Sequence, residues 1–104
     1  MVDVMKLRDY CLNPRHPEGR HKARVFRATL GMEREDAEEL RAALVAAARD
    51  QDADATEADE YGERYVLDFS LRHAGREAQV RSAWIIRKGE NFPRLTSCYI
   101  LQGL

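Results

Sequence analysis

The chain has 104 residues, of which 44% are hydrophobic and 34% charged, a composition typical of a folded globular domain rather than of a disordered or fibrous protein. Its longest apolar run is far shorter than the ~20 residues that a transmembrane helix needs, and its first residues, MVDVMKLRDY, contain no apolar stretch typical of a signal peptide. We therefore expect a single domain, residues 1–104, that does not contact a membrane. It is expected to be cytoplasmic, or to be exported as part of a larger system.

The net charge of −1 conceals a separation of charge along the chain. Residues 1–31 carry seven Lys or Arg and three Asp or Glu, residues 32–63 carry three and twelve, and residues 64–104 carry seven and three. Both ends of the chain are thus basic and its middle is acidic. The overall charge therefore does not exclude an anionic ligand such as RNA, because the spatial arrangement of the charges decides what binds.

Three helices are predicted in the first half of the chain. The first covers residues 4–12, with Leu7 and either Tyr10 or Cys11 facing inward, and the second covers residues 21–30 and ends at Gly31. The third begins near Glu33 and includes the alanine-rich segment RAALVAAAR. Helical spacing predicts these inward-facing residues in the second and third helices: Ala23, Phe26, Leu30, Ala37, Leu40, Leu44 and Ala47.

The second half of the chain is predicted to form strands. The acidic segment DQDADATEADEYG is predicted to be a loop with a short edge strand near residues 55–58. Alternating apolar residues then predict strands at residues 65–72, 77–88 and 94–102, joined by the short turns HAGR and KGENFP. Short links favour antiparallel pairing. We therefore predict an α+β fold, in which the N-terminal helices pack on one face of a three- to four-stranded antiparallel sheet and leave the other face available for a ligand.

The second predicted helix begins inside a basic stretch, RHPEGRHKARVF, where six Lys, Arg or His residues accompany the single acid Glu18. Free N–H groups make a helix start partly positive, so each cation there costs a few tenths to ~1 kcal/mol. A bound anion would reverse that cost, and Gly19 would let it approach the backbone. Two interpretations stay open: an anion site, or a solvated surface whose arginine stems cover apolar neighbours.

The residue types in this stretch are also those required for metal-independent RNA cleavage. Such cleavage needs a base for the ribose 2′-OH, an acid for the leaving oxygen, and cations that stabilise the phosphorane. His21 is suited to be the base or the acid because an ordinary imidazole titrates near neutral pH. The candidate cations for phosphate are Arg20, Lys22, Arg24 and Arg94. The candidate hydroxyls on the sheet are Ser82, Thr96 and Ser97.

Other chemistries have less support in the sequence. There is no glycine-rich phosphate loop of the G-x-x-x-x-G-K type, and no His, Cys or acidic residues occur at metal-ligand spacing. Cys11 and Cys98 are far apart in the chain and are interpreted as two reduced thiols. We therefore predict no cofactor and no metal site.

Five segments taken together resemble a bacterial domain family of unknown function. They are KLRDYCLNPRHPEGRHKARVF, LG, YGERYVLDFSL, VRSAWII and PRLTSCYIL. The shared pattern is K-L-x-x-Y-x-L-N, H-P-x-G-x-x-K-A-x-x-F, L-G, V-x-S-x-W and P-R-L-x-[ST]-x-Y, and it extends from Lys6 to Tyr99.

A looser resemblance extends to the C-terminal nuclease domains of bacterial polymorphic and contact-dependent toxins, the class named after barnase, EndoU, colicins and RelE. This resemblance implies helices followed by an antiparallel sheet, metal-independent RNA cleavage on the sheet, and a protein partner of the immunity or antitoxin type. The positions that match are Lys22, Ser82, Trp84, Arg94 and Thr96.

Three functions are consistent with these observations. The first is an RNase-like domain, for which we predict catalytic residues His21, Lys22 and Thr96 and RNA-binding residues Arg20, Arg24, Arg94 and Ser82. The second is a non-catalytic module on the same fold that binds RNA, another anion or a protein. The third is an interaction protein whose acidic segment 50–63 binds a basic partner, an association that neutralising Asp52, Asp54 and Glu57 would abolish.

Overall fold

The computed structural model describes residues 1–101 and has helices in its first half. Helix α1 (Val4–Lys6) continues as a π-helical segment (Leu7–Cys11) and is followed by α2 (Arg20–Leu30). A 3-10 turn (Arg34–Asp36) then leads directly into α3 (Ala37–Asp50). The three predicted helices are therefore present, and the first one differs from an ordinary α-helix in the wider turn of its second half.

Four strands follow the helices: β1 (Asp54–Asp59), β2 (Gly62–His73), β3 (Arg76–Arg87) and β4 (Arg94–Ile100). They form one antiparallel sheet in the order β1-β2-β3-β4. The predicted α+β fold is confirmed, including the short edge strand in the acidic segment. The predicted last strand extended to residue 102, which lies outside the described residues.

The ends of α2 and α3 follow from local sequence. Gly31 ends α2 with a φ of 72°, a left-handed conformation that favours glycine, and its N–H donates to the carbonyl of Arg27. At the start of the 3-10 turn, the side chains of Glu33 and Asp36 each accept a hydrogen bond from the backbone N–H of the other residue. This reciprocal capping satisfies donors that would otherwise be unpaired at a helix start.

The core lies between the helices and one face of the sheet. Helix α3 packs on β2, and α2 packs on β3 and β4. All seven inward-facing residues predicted for α2 and α3 are buried. The sheet contributes Leu67, Phe69, Leu71, Val80, Ser82, Trp84, Leu95, Cys98 and Ile100. A bulge between β3 and β4, near Thr96, lets Leu95 and Cys98 both face the core although they are three residues apart.

The opposite face of the sheet carries polar side chains, among them the exposed Asp68, Ser70 and Arg72. The register places Asp68 of β2, Arg81 of β3 and Tyr99 of β4 in one row across this face. Among residues 1–101, no helix is both long and apolar enough to cross a bilayer.

Candidate anion-binding site at the start of helix α2

Lys22 lies at the centre of the site because its side chain reaches from the first turn of α2 to the edge of β4. Its Nζ donates a hydrogen bond of 2.8 Å to Oγ of Ser97. The same nitrogen lies 5.2 Å from the ring centroid of Tyr10 and 5.6 Å from that of Tyr99. Both distances are within the range of cation–π attraction. The ammonium group is therefore held in place by three side chains from two other elements.

A close backbone approach positions Tyr10 beside this lysine. A Cβ on the buried Gly19 would lie 2.1 Å from the carbonyl oxygen of Tyr10, so only glycine fits there. The expected role of Gly19 was to let a ligand approach the backbone. The structure shows instead that Gly19 lets the π-helical segment pack against the start of α2.

The N–H groups that lead into α2 are partly occupied by a histidine. Nδ1 of His16 accepts hydrogen bonds from the backbone N–H groups of Glu18 and Gly19, at 3.1 and 3.0 Å. The His16 ring also packs edge-on against Tyr10, with 4.7 Å between ring centroids. An anion at this end of α2 would therefore be bound mainly by side chains, rather than by the backbone N–H groups of residues 18 and 19.

An open cavity of about 290 Å³ lies beside Lys22. It is lined by His21, Lys22, Val25, Tyr99 and Ile100. His21 is exposed on α2, so its imidazole is accessible to a molecule that enters the cavity. The structure thus places two of the three predicted catalytic residues, His21 and Lys22, at one cavity.

Two predicted RNA-binding arginines lie on the same helix but do not line this cavity. Arg20 and Arg24 are exposed, and neither forms an ion pair within residues 1–101. Arg24 also lines a separate cavity of about 340 Å³ between α2 and the 3-10 turn. Their charges are therefore available to a polyanion that extends along α2.

The other three predicted residues lie in or beside the sheet and have partners there. Oγ of the fully buried Ser82 donates to the carbonyl of Leu67 at 2.7 Å and accepts from Nε1 of Trp84 at 2.8 Å. Oγ1 of Thr96 donates to the carbonyl of Ala83 at 3.1 Å. Neither hydroxyl is placed at the cavity beside Lys22.

Arg94 is held at the other end of β4 from Tyr99. Its guanidinium donates two hydrogen bonds, of 2.9 and 2.8 Å, to the carboxylate of Glu90 and lies 4.9 Å from the ring centroid of Phe92. This pairing lowers the pKa of the Glu90 carboxyl. Five residue steps of strand, about 16 Å at strand spacing, separate Arg94 from Tyr99, and Arg94 does not line the cavity beside Lys22.

A charged row on the open face of the sheet adjoins Tyr99. Arg81 donates two hydrogen bonds of 2.9 Å to the two carboxylate oxygens of Asp68. Tyr99 is the strand neighbour of Arg81, and both Asp68 and Tyr99 raise the pKa of the arginine, the aspartate more strongly. The same pairing with Arg81 lowers the pKa of Asp68. Tyr99 therefore has two cations as neighbours, Lys22 over its ring and Arg81 at the paired position of β3.

Ser97 was predicted only as one of three candidate hydroxyls. Tyr10, Arg81 and Tyr99 were not among the predicted site residues. The motif pattern contained a signal for most of these residues. Tyr10 is the tyrosine of K-L-x-x-Y, and Ser97 and Tyr99 occupy the last two defined positions of P-R-L-x-[ST]-x-Y. These three side chains contact the ammonium group of Lys22, which is the lysine of H-P-x-G-x-x-K-A. Arg81 occupies an undefined position of V-x-S-x-W, so only the strand register identifies it.

The two cysteines lie in the core close to this site. Cys11 and Cys98 are both free and fully buried. The neighbouring Cys98 thiol lowers the pKa of Cys11 to about 7, and the Cys11 thiol together with burial raises the pKa of Cys98. The prediction of free thiols agrees with the structure, but the sequence did not indicate that they are neighbours.

No curated protein and no solved structure shows a significant match to the chain. A family model described as a domain of unknown function, DUF6883, matches residues 1–102. The match covers the whole motif pattern from Lys6 to Tyr99 and confirms the predicted resemblance to a family of unknown function. The chain therefore belongs to the DUF6883 family.

Proposed function

We propose that this chain is a bacterial, cytoplasmic RNase-like domain that binds RNA at the Lys22 site and cleaves it by attack of the ribose 2′-OH, without a metal ion. The observation that carries the proposal is the position of the Lys22 ammonium, which lies beside two tyrosine rings and a serine hydroxyl and lines the same cavity as His21. On the resemblance to toxin nucleases alone, we also propose a protein partner of the immunity or antitoxin type.

Binding is supported by the basic side chains of α2. Lys22, Arg20 and Arg24 project from one helix, and the latter two form no ion pair within the described part of the chain. The ring of Tyr99 adds a flat surface at the same place, and aromatic rings stack with RNA bases. A phosphate beside Lys22 and a base on Tyr99 are therefore compatible with one bound nucleotide.

The proposed chemistry uses His21 and Lys22 in distinct roles. The imidazole of His21 takes the proton of the 2′-OH, the 2′-oxygen bonds to phosphorus, and Lys22 stabilises the negative charge on the phosphorane. The bond from phosphorus to the 5′-oxygen then breaks, and that oxygen takes a proton from the phenol of Tyr99. The products are a 2′,3′-cyclic phosphate and a 5′-hydroxyl. The phenolate left on Tyr99 is stabilised by Arg81 and Lys22.

A second candidate is a non-catalytic RNA-binding module, and one observation favours it. Two groups predicted to take part in chemistry or phosphate binding, Thr96 and Ser82, donate their hydroxyl protons to main-chain carbonyls of the sheet. RNA binding requires neither of them, because Lys22 and the arginines of α2 suffice for electrostatic attraction.

The test is cleavage and binding of total RNA and tRNA in EDTA by the wild type, Lys22→Met and His21→Gln. Lys88→Met is the matched control, because Lys88 is an exposed lysine in the β3–β4 turn. An RNase predicts products with 2′,3′-cyclic phosphate that both site variants lose and the control retains. Salt-sensitive binding without cleavage, lost in Lys22→Met only, would establish the binding module. No binding and no cleavage by the wild type would refute both candidates.

A further inference from the structure

A second cluster of polar side chains lies where α3 begins and β2 ends. It consists of Asp36 and Glu39, at the start of α3, and His73, the last residue of β2. Each residue offers one oxygen or nitrogen atom, and these three atoms lie within 4.8 Å of one another. The spacing of three residues places both carboxylates on one side of the helix, and the sheet brings the imidazole to them.

Both ring nitrogens of His73 face a carboxylate. Nδ1 lies 2.5 Å from Oε2 of Glu39, and Nε2 lies 3.9 Å from Oδ2 of Asp36. Oδ2 of Asp36 also accepts a hydrogen bond of 2.9 Å from the N–H of Glu33, which fixes the direction of this carboxylate. The His73 side chain is 16% exposed and that of Glu39 is 49% exposed. The cluster is thus enclosed at the histidine and open to solvent at Glu39.

The charge of this cluster is not balanced by a basic side chain. Within residues 1–101, no Lys or Arg forms an ion pair with Asp36 or Glu39. Other carboxylates, such as Asp68 and Glu90, each bind an arginine. Two carboxylates beside one imidazole leave a net negative charge in either protonation state of the imidazole, and a bound cation would neutralise it.

We propose that Asp36, Glu39 and His73 bind one divalent transition-metal ion of the zinc class. A set of one imidazole nitrogen and two carboxylate oxygens suits Zn²⁺, whereas Mg²⁺ and Ca²⁺ prefer oxygen ligands alone. Bonds of about 2.0–2.1 Å in a tetrahedron separate the ligand atoms by about 3.3 Å. One ion binds only one ring nitrogen, so an ion on Nδ1 requires the 2.5 Å contact between Nδ1 and Oε2 of Glu39 to lengthen by about 0.8 Å and the imidazole to turn towards Asp36. The half-exposed Glu39 side chain can supply the first movement, and water occupies the fourth position.

The position of the cluster gives the ion a structural role that is separate from the RNA site. Arg76, in the hairpin that follows His73, donates to the carbonyl of Ala28, so the cluster lies near the last turn of α2. Lys22 lies in the first turn, at the opposite end of that helix. An ion here would connect the start of α3 to the end of β2. Because it binds the folded chain, it would raise the free energy of unfolding in proportion to the logarithm of its concentration above Kd.

The test starts from the full chain after chelation and dialysis. Zn²⁺ is titrated by calorimetry, and Co²⁺ binding is followed by visible absorption. We compare the wild type with Glu39→Gln and His73→Asn, and Glu38→Gln is the matched control because it is an exposed acid in the same turn of α3. We expect one ion per chain, at least about tenfold weaker binding in the two site variants, and unchanged binding in the control. Zn²⁺ should raise Tm in the wild type and the control only.

Several outcomes would overturn the proposal. One is the absence of heat, colour and Tm change in the wild type, and another is equal binding by Glu39→Gln and Glu38→Gln. Loss of binding only when Cys11 and Cys98 are both replaced by alanine would assign the ion to the thiols instead. Far-UV circular dichroism checks folding, and if His73→Asn does not fold, the comparison of Glu39→Gln with Glu38→Gln decides. The outcome does not depend on RNA cleavage in EDTA.

Discussion

The two edge strands of the sheet, β1 and β4, differ in their charge and in whether other parts of the chain contact them. All six residues of β1 are exposed, and three of them, Asp54, Glu57 and Asp59, are acidic. On β4, by contrast, Leu95 donates its N–H to the carbonyl of Met1, and Ser97 accepts a hydrogen bond from Lys22. The acidic middle and one basic end of the sequence thus occupy opposite edges. The net charge of −1 therefore does not describe the surface that RNA would meet at β4.

The contacts that build the two edges also differ in range. The β1 edge depends on a local hairpin, in which Asp59 accepts from the N–H groups of Tyr61 and Gly62 and pairs with Arg64. The β4 edge depends on residues far apart in the chain, such as Lys22 and Ser97, which are 75 positions apart. Single substitutions should therefore disturb the β4 edge more than the β1 edge.

The largest effect is expected for Gly19→Ala. The added methyl group would overlap the carbonyl of Tyr10, so the π-helical segment must move away from α2. We expect the free energy of unfolding to fall by about 1–3 kcal/mol, the usual range for overpacking, as measured by urea denaturation. The displaced Tyr10 should also weaken RNA binding. The control is Glu18→Ala, an exposed neighbour for which we expect a change within about 0.5 kcal/mol. Equal stability of the two variants would contradict the close approach.

The fold was predictable because its signals are local. The apolar spacing in α3, the alternation in β2 and the glycine that ends α2 each specify an element without reference to the rest of the chain. The acidic segment was predicted to be a loop with a short edge strand near residues 55–58, and β1 occupies residues 54–59. The π-helical turn at Leu7–Cys11 was not predicted, since its residues also suit an ordinary α-helix.

The site was predictable only in part because side-chain partners depend on the tertiary structure. Lys22 and His21 were identified from their chemistry, and the structure places both at one cavity. Ser82 looked available as a strand hydroxyl, but its face of the strand is the core face, where Trp84 and Leu67 bind it. The bulge near Thr96 changes which residues of β4 face outward, and no local sequence pattern predicts this bulge.

The second prediction concerns the charges at the proposed RNA site. Replacing Arg20 and Arg24 with glutamine should weaken RNA binding several-fold at physiological salt. It should also reduce the slope of log Kobs against log[salt] by about one for each phosphate that the variant no longer neutralises. Replacing Asp54 with Asn and Glu57 with Gln, on the opposite edge, should leave the slope unchanged. Fluorescence anisotropy with labelled RNA at four salt concentrations measures both. A change of slope in the β1 variant would indicate that RNA also meets that edge.

The smallest effect is expected for the ion pair on the open face of the sheet. Arg81 lowers the pKa of Asp68 below its ordinary value of 3.8, so the folded chain holds this proton less tightly than the unfolded chain. The resulting stability is complete above about pH 4 and is lost as pH falls through the lower folded-state pKa. Asp68→Asn should therefore unfold slightly more easily at pH 7, with a Tm lower by about 2 °C or less because solvent screens the pair. Between pH 5 and pH 2, its stability should also fall less steeply than that of the wild type.

The control is Asp54→Asn, at a carboxylate of β1 that forms no ion pair in the described residues. It should change neither the Tm at pH 7 nor the fall of stability with pH. If both substitutions lowered Tm equally at pH 7, the pairing of Asp68 with Arg81 would contribute no more to stability than the exposed carboxylate of Asp54.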